Sequence, residues 1–240
     1  MPNYNQNYNR WEPEYSMGAQ LTLNQYMTRA FTWMFIGLLT TFGLAFAIAW
    51  TGLYVPIMRS GAVFAITIAE FILVIALSSR VQHMAPATAT LLFFLYAVMN
   101  GVMFSVYFIA YDLPMLIGAF LVAAIYFGVM AAYGAITKKD LSSWGAIGLS
   151  GLIALLIFEI ICMFLNIGNT LLCVVGLVLF MCITAYDTQK IKAYYYSFCN
   201  DSAMLEKAGI LAALSLYLDF INIFLRVLRL FARNLSLIHI

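Results

Sequence analysis

Charge is what this chain has least of. Only 9% of its 240 residues are Asp, Glu, Lys or Arg, where ordinary soluble domains carry ~25%. The two signs nearly cancel, at a formal net charge of +2, so the composition offers no basic footprint for a nucleic-acid partner. Cysteine is scarce as well. The four are Cys162, Cys173, Cys182 and Cys199. Three lie inside apolar runs, their spacing matches no zinc or redox pattern, and no histidine stands near them as a co-ligand. They read as small buried apolar residues. No cleavable signal peptide is expected either. The first apolar run begins near Ala30, behind a polar lead rich in Tyr and Asn, so the expectation is a signal-anchor helix.

What the chain has is hydrocarbon. Apolar residues make up 65% of it, which points to an all-α polytopic membrane protein with no room for a large soluble domain. Residues 1–23, with Pro2 and Pro13, read as a flexible cytosolic lead, and residues 24–240 as a single membrane domain. Seven apolar spans follow, at about 30–50, 56–78, 88–111, 114–137, 143–165, 170–187 and 209–233. Very short connections at 111–114 and 166–169 predict tight helical hairpins. Gly118, Gly128, Gly134, Gly148 and Gly151 are small residues that allow helices to approach closely. Arg10, Arg29, Arg80, Lys138, Lys139, Lys190, Lys192 and Lys207 fall on the N-terminal side of the spans, and Arg59 falls opposite. The positive-inside rule then makes the N-terminus cytosolic.

The last span breaks the apolar pattern. Asp219 lies near its middle, and Asn222, Arg226, Arg229 and Arg233 follow at offsets of 3, 7, 10 and 14. At ~3.6 residues per turn all five share one side of a helix. A polar stripe of this kind needs something other than lipid beside it, and the other spans read as a wall around it. The three arginines leave two readings of this segment. Either it is re-entrant, or it crosses fully and its arginines face protein and water inside the bundle; the shared stripe favours the second.

Glu70, Glu159, Asp187 and Asp219 are the acids within the spans. A charge at mid-bilayer costs roughly 2.5–3.5 kcal/mol, so such residues pair, protonate or line water. Asp187, read as closing the sixth span, has Lys190 one turn away and can pair locally. Asp219 has no such neighbour. Antiparallel sixth and seventh helices would bring Asp187 and Asp219 together as carboxyls that share a proton and titrate as a pair, a pH-responsive latch. Arg80 is the nearest fixed cation to hold the ionised form. Glu70 is placed to meet Arg229 across the bundle.

These residues also carry a resemblance. Tyr186-Asp187-Thr188-Gln189 and Leu214-Ser215-Leu216-Tyr217-Leu218-Asp219-Phe220-Ile221-Asn222 resemble the hallmark segments of the Bax inhibitor-1 family, the transmembrane Bax-inhibitor-motif proteins. Stretches 24–33, 77–81 and 97–105, with Asn100-Gly101, support the likeness, which runs over about 24–233. The resemblance implies six helices around a central seventh. It implies a pH-sensitive calcium leak gated by Asp187, Asp219 and Arg80, in a bacterial plasma (inner) membrane protein. Bacterial members also include a modulator of a membrane-bound quality-control protease. Two departures stand out. An insert at 197–207 is expected to make the last cytosolic loop long. The ending, 235–240, lacks the family's basic tail and reads as a truncation or scar, so His239 receives no role.

The leading expectation is therefore a calcium-permeable leak serving calcium homeostasis or stress survival. Calcium is its permeant ion and no cofactor is expected. Ca²⁺ takes oxygen ligands, which Asp187 and Asp219 supply transiently, with Tyr217 and Asn222 as helpers and Glu70 and Arg229 as supporting path residues. The partners are the bilayer, calcium ions and protons. The alternative is an interaction protein without flux that modulates a membrane protease or a cell-death regulator. Enzyme chemistry is not expected. An intramembrane aspartyl protease needs a Gly-x-Gly-Asp turn, whereas Asp219 follows Leu216-Tyr217-Leu218. A retinal pump needs a Schiff-base lysine, which the apolar body of the seventh span lacks.

Overall fold

The computed structural model describes residues 21–165 and 170–238. The first twenty residues of the expected lead, the expected turn at 166–169 and His239 lie outside them. The described residues form helices joined by short turns. Helix α1 (Leu23–Thr51) begins well before the apolar run. Thr22 and Gln25 form a reciprocal cap: the Gln25 N–H donates to the Thr22 hydroxyl, and the Thr22 N–H donates to the Gln25 side chain. The expected second span is broken into α2 (Tyr54–Arg59) and α3 (Ala62–Arg80). Gly61 between them has φ +72, a left-handed conformation that halts the first helix and admits the second. A 3-10 turn at Val81–His83 leads to α4 (Pro86–Ala110), which opens on a proline where no N–H is needed. A tight connection then leads to α5 (Leu113–Ile136), as expected.

Helix α6 (Ser142–Leu165) is entered through Asp140. One carboxylate oxygen of Asp140 accepts from the Ser142 hydroxyl at 2.6 Å and from its N–H at 2.9 Å. These bonds hold the carboxyl below the ordinary carboxylate range. Helix α7 (Thr170–Phe198) does not stop at Asp187, and α8 (Ser202–Ile238) starts almost at once. The long last loop expected from 197–207 is therefore absent; it is three residues, 199–201. Packing explains the extension. Ile191 and Tyr195 of the added turns are buried, Tyr195 against the ring of Tyr26, and its hydroxyl donates to the Leu21 carbonyl at 2.9 Å.

Among the described residues seven helices, α1 and α3 to α8, are long and apolar enough to cross a membrane, and the chain is an integral membrane protein. Helix α8 is one unbroken run of 37 residues, ~55 Å at 1.5 Å per residue, which excludes the re-entrant reading. It is also the most enclosed: 72% of its apolar stretch is buried, against 39% or less in each of the others. Helices α1, α4, α5 and α7 pack along it, whereas α3 rests chiefly on α4, and α6 on α7. Phe42 of α1 locks this centre, its ring 5.7 Å from Phe104, 5.3 Å from Phe120 and 5.2 Å from Phe224. Close approach depends on small residues at Gly134, which lies against the Ala185 backbone, and at Gly148 and Gly151, which receive Ile183 and Leu179. Gly128, by contrast, faces open space. The four cysteines are free and half-buried rather than buried, because the α6 and α7 faces that carry Cys162, Cys173 and Cys182 turn partly outward.

Candidate functional site

Helices α7 and α8 pack along one another and bring Asp187 and Asp219 within electrostatic reach. Asp219 is 3% exposed. Thr184, one turn before Asp187 and fully buried, stands beside its carboxyl. The Thr184 hydroxyl donates to the Phe180 carbonyl at 2.7 Å, so its one proton is committed within α7. Oδ2 of Asp219 and Oγ1 of Thr188 have no hydrogen-bond partner among the described residues. Asp187 is half-buried, and Lys190 is the cation that acts on it. Lys190 also lies 5.7 Å from the Tyr186 ring and 5.5 Å from the Tyr194 ring. Asp187 lies inside α7 rather than at its end.

Gln189, in the same turn of α7, fixes the neighbouring connection. Its side-chain amide donates to the Lys139 carbonyl at 2.7 Å and its oxygen accepts the Leu141 N–H at 2.9 Å. The α5–α6 turn is thereby held against the helix that carries Asp187.

The remaining expected residues scatter. Arg80 is exposed at the end of α3 and makes no ion pair with either aspartate. Glu70 does not meet Arg229. It is half-buried on α3, acts on Tyr96 and Tyr217, and has one oxygen without a partner among the described residues. Tyr217 is fully buried, with its hydroxyl 2.7 Å from that of Thr41. Asn222 donates to the Leu218 carbonyl of its own helix at 2.8 Å.

Sequence reasoning found no partner for Glu159, and the structure supplies one. Arg226 Nη1 donates to Glu159 Oε1 at 3.0 Å, and Arg229 lies 3.7 Å from the same oxygen. Arg226 also sits over the Phe180 ring at 5.4 Å and reaches the Leu172 carbonyl at 3.4 Å. The stripe of α8 is therefore answered in layers: Thr184 stands beside Asp219 with Asp187 in electrostatic reach, and Phe180 and Glu159 meet Arg226. The missed residues are Thr184 and the Glu159–Arg226 pair. A threonine in an apolar span carries no charge signal, whereas an acid on α6 and an arginine on α8 did give one, with nothing in the spacing to join them.

A family model described as "Inhibitor of apoptosis-promoting Bax1" matches residues 23–236. The inner membrane protein YbhL of Escherichia coli (strain K12) is 37% identical over 217 residues, covering 88% of this chain and 93% of its own. An uncharacterized protein of Deinococcus radiodurans is 36% identical over 231 residues, covering 90% and 94%. The uncharacterized protein RP147 of Rickettsia prowazekii is 33% identical over 210 residues, covering 86% and 89%.

Proposed function

The chain belongs to the Bax inhibitor-1 family of membrane proteins, and from that premise we propose that it is a pH-sensitive, calcium-permeable leak of a bacterial inner membrane, with its N-terminus in the cytosol. One observation carries this reading: a buried carboxyl in the middle of the most enclosed helix lies within electrostatic reach of a second carboxyl, with an oxygen unpartnered and no ion pair to a cation among the described residues. Such a group is costly as a lone charge in the membrane. A proton shared with Asp187 relieves that cost, and so does a passing cation. Two carboxylates offer at most four of the six to eight oxygens Ca²⁺ takes, which suits an ion in transit with water completing its shell. Proton and cation then compete for the same oxygens. The groups acting on the pair are the two carboxyls themselves, Lys190 on Asp187 and Thr184 on Asp219. Arg80 serves this reading as a cation that engages Asp187 or Asp219 in another conformation.

The test is calcium flux from vesicles holding the purified full-length chain, between about pH 6 and about pH 8. The wild type is expected to change its rate by roughly fivefold or more across that window, and Asp219→Asn and Asp187→Asn are each expected to flatten the response. An unaltered pH response in Asp219→Asn sinks the latch.

The family's description as an inhibitor favours a second reading as an interaction protein without flux. A cleft of about 620 Å³ between the start of α1 and the α7–α8 turn, lined by Arg29, Trp33, Asn200 and Glu206, would be its contact surface. Modulation of a membrane protease or cell-death regulator that survives Asp187→Ala, with no calcium flux in the wild type, would favour this reading.

A further inference from the structure

We propose that Arg226 seals the seam between α7 and α8 beyond Asp219, as a plug seated in a slot that Gly176 leaves open. This rests on the leak reading and concerns what closes that path. Arg226 follows Asp219 by seven residues on α8, which puts it on the same face ~10 Å further along the axis. Its guanidinium occupies the space that a side chain at position 176 would take, since a Cβ there would overlap the guanidinium atoms. The Phe180 ring lies against it, between the aspartate layer and the arginine layer. The Arg226 side chain is 7% exposed. A cation moving along the seam from Asp219 therefore meets an aromatic ring and then a fixed positive charge in a low-dielectric wall, where repulsion is weakly screened.

Two features make the plug removable. First, Arg226 is incompletely satisfied: its Nε is buried without a partner among the described residues. A guanidinium has five donors, and an unused buried one narrows the gap to a state in which the group reaches water. Second, Glu159 is not stranded when Arg226 leaves. Arg229, half exposed, already lies 3.7 Å from the same carboxylate oxygen. An ion pair whose loss would otherwise strand a buried charge is thus backed by a second cation on the next turn of α8.

The test uses the full chain in vesicles, with Cys162, Cys173, Cys182 and Cys199 replaced by serine and Asp219→Cys as the reporter. A cationic, membrane-impermeant thiol reagent is added from each side in turn. Two variants open the seal by different routes: Gly176→Ala fills the slot with every charge kept, and Arg226→Gln removes the charge with Glu159 still beside Arg229. Each is expected to raise labelling from the Arg226 side by about tenfold and, in the Asp219 background, to raise calcium leak at the pH where the wild type leaks least. Unchanged labelling in both variants, with thermal unfolding preserved, overturns the seal, whatever the flux. If Gly176→Ala fails to fold, Arg226→Gln alone decides. Labelling that rises while no variant passes calcium supports the seal and sinks the leak reading.

Discussion

The Tyr217 hydroxyl has one proton, and Thr41 receives it. Thr41 lies 2.7 Å from that hydroxyl and 2.9 Å from the Ala97 carbonyl. A carbonyl only accepts, so Thr41 donates to Ala97 and accepts from Tyr217. The two substitutions are therefore unequal. Thr41→Val strands a buried tyrosine hydroxyl and is expected to cost about 1–3 kcal/mol, whereas Tyr217→Phe leaves Thr41 bonded to Ala97 and is expected to cost about 1 kcal/mol or less. Thermal unfolding in detergent should rank wild type, Tyr217→Phe and Thr41→Val in falling order; the reverse order of the variants would refute the donor assignment. Legibility in the sequence followed charge. Asp187 and Asp219 stood out because ionisable groups in apolar helices are expensive. The partners of Tyr217 and Glu159 lie on other helices, 176 and 67 residues away, and no local spacing selects them.

Helix α7 lies against α5 through Gly134, whose backbone meets the Ala185 carbonyl one residue from Thr184. A methyl group there forces the two helices apart beside the aspartate pair. Gly134→Ala is expected to destabilise by about 1–3 kcal/mol. Gly128→Ala on the same helix meets nothing within 4 Å and should gain up to about 1 kcal/mol of helix propensity. Paired unfolding measurements check the contrast, and equal behaviour would remove the contact from the account. The ends of α1 and α7 show what apolar patterning sees and what it misses. Hydropathy marks the part of a helix that lies in lipid. It is silent on turns that continue outside, such as the capped start at Thr22 and the extension held by Tyr195. The break at Gly61 was hidden for the opposite reason, since the apolar run resumes directly after Arg59 and Ser60.

Across the whole bundle, the count and kind of membrane-crossing helices among the described residues were readable because seven apolar stretches leave few other structures in a bilayer. Their order of packing was not, because lipid-facing and protein-facing sides are equally greasy: Phe71 and Ile72 are exposed on α3, while identical residue types fill the centre. The exposed Arg29–Glu206 pair, 3.0 Å apart, joins the starts of α1 and α8 but is worth only about 0–1 kcal/mol; burial holds α8 in place. That burial has a consequence for biogenesis. A free-standing segment with Asp219 and Arg226 in its body carries a penalty of roughly 2.5–3.5 kcal/mol for each charge placed near its centre, against a gain of only ~0.3–0.6 for each leucine. In a translocon insertion assay, residues 209–233 alone should integrate poorly, and the double change Asp219→Leu with Arg226→Leu should restore integration; efficient integration of the unchanged segment would refute this. The helix that lipid would reject comes after the other membrane-crossing helices in the chain. When it is made, the six membrane-crossing helices before it have been made, and Asp219 and Arg226 can be received by Thr184, Asp187 and Glu159 instead of by hydrocarbon.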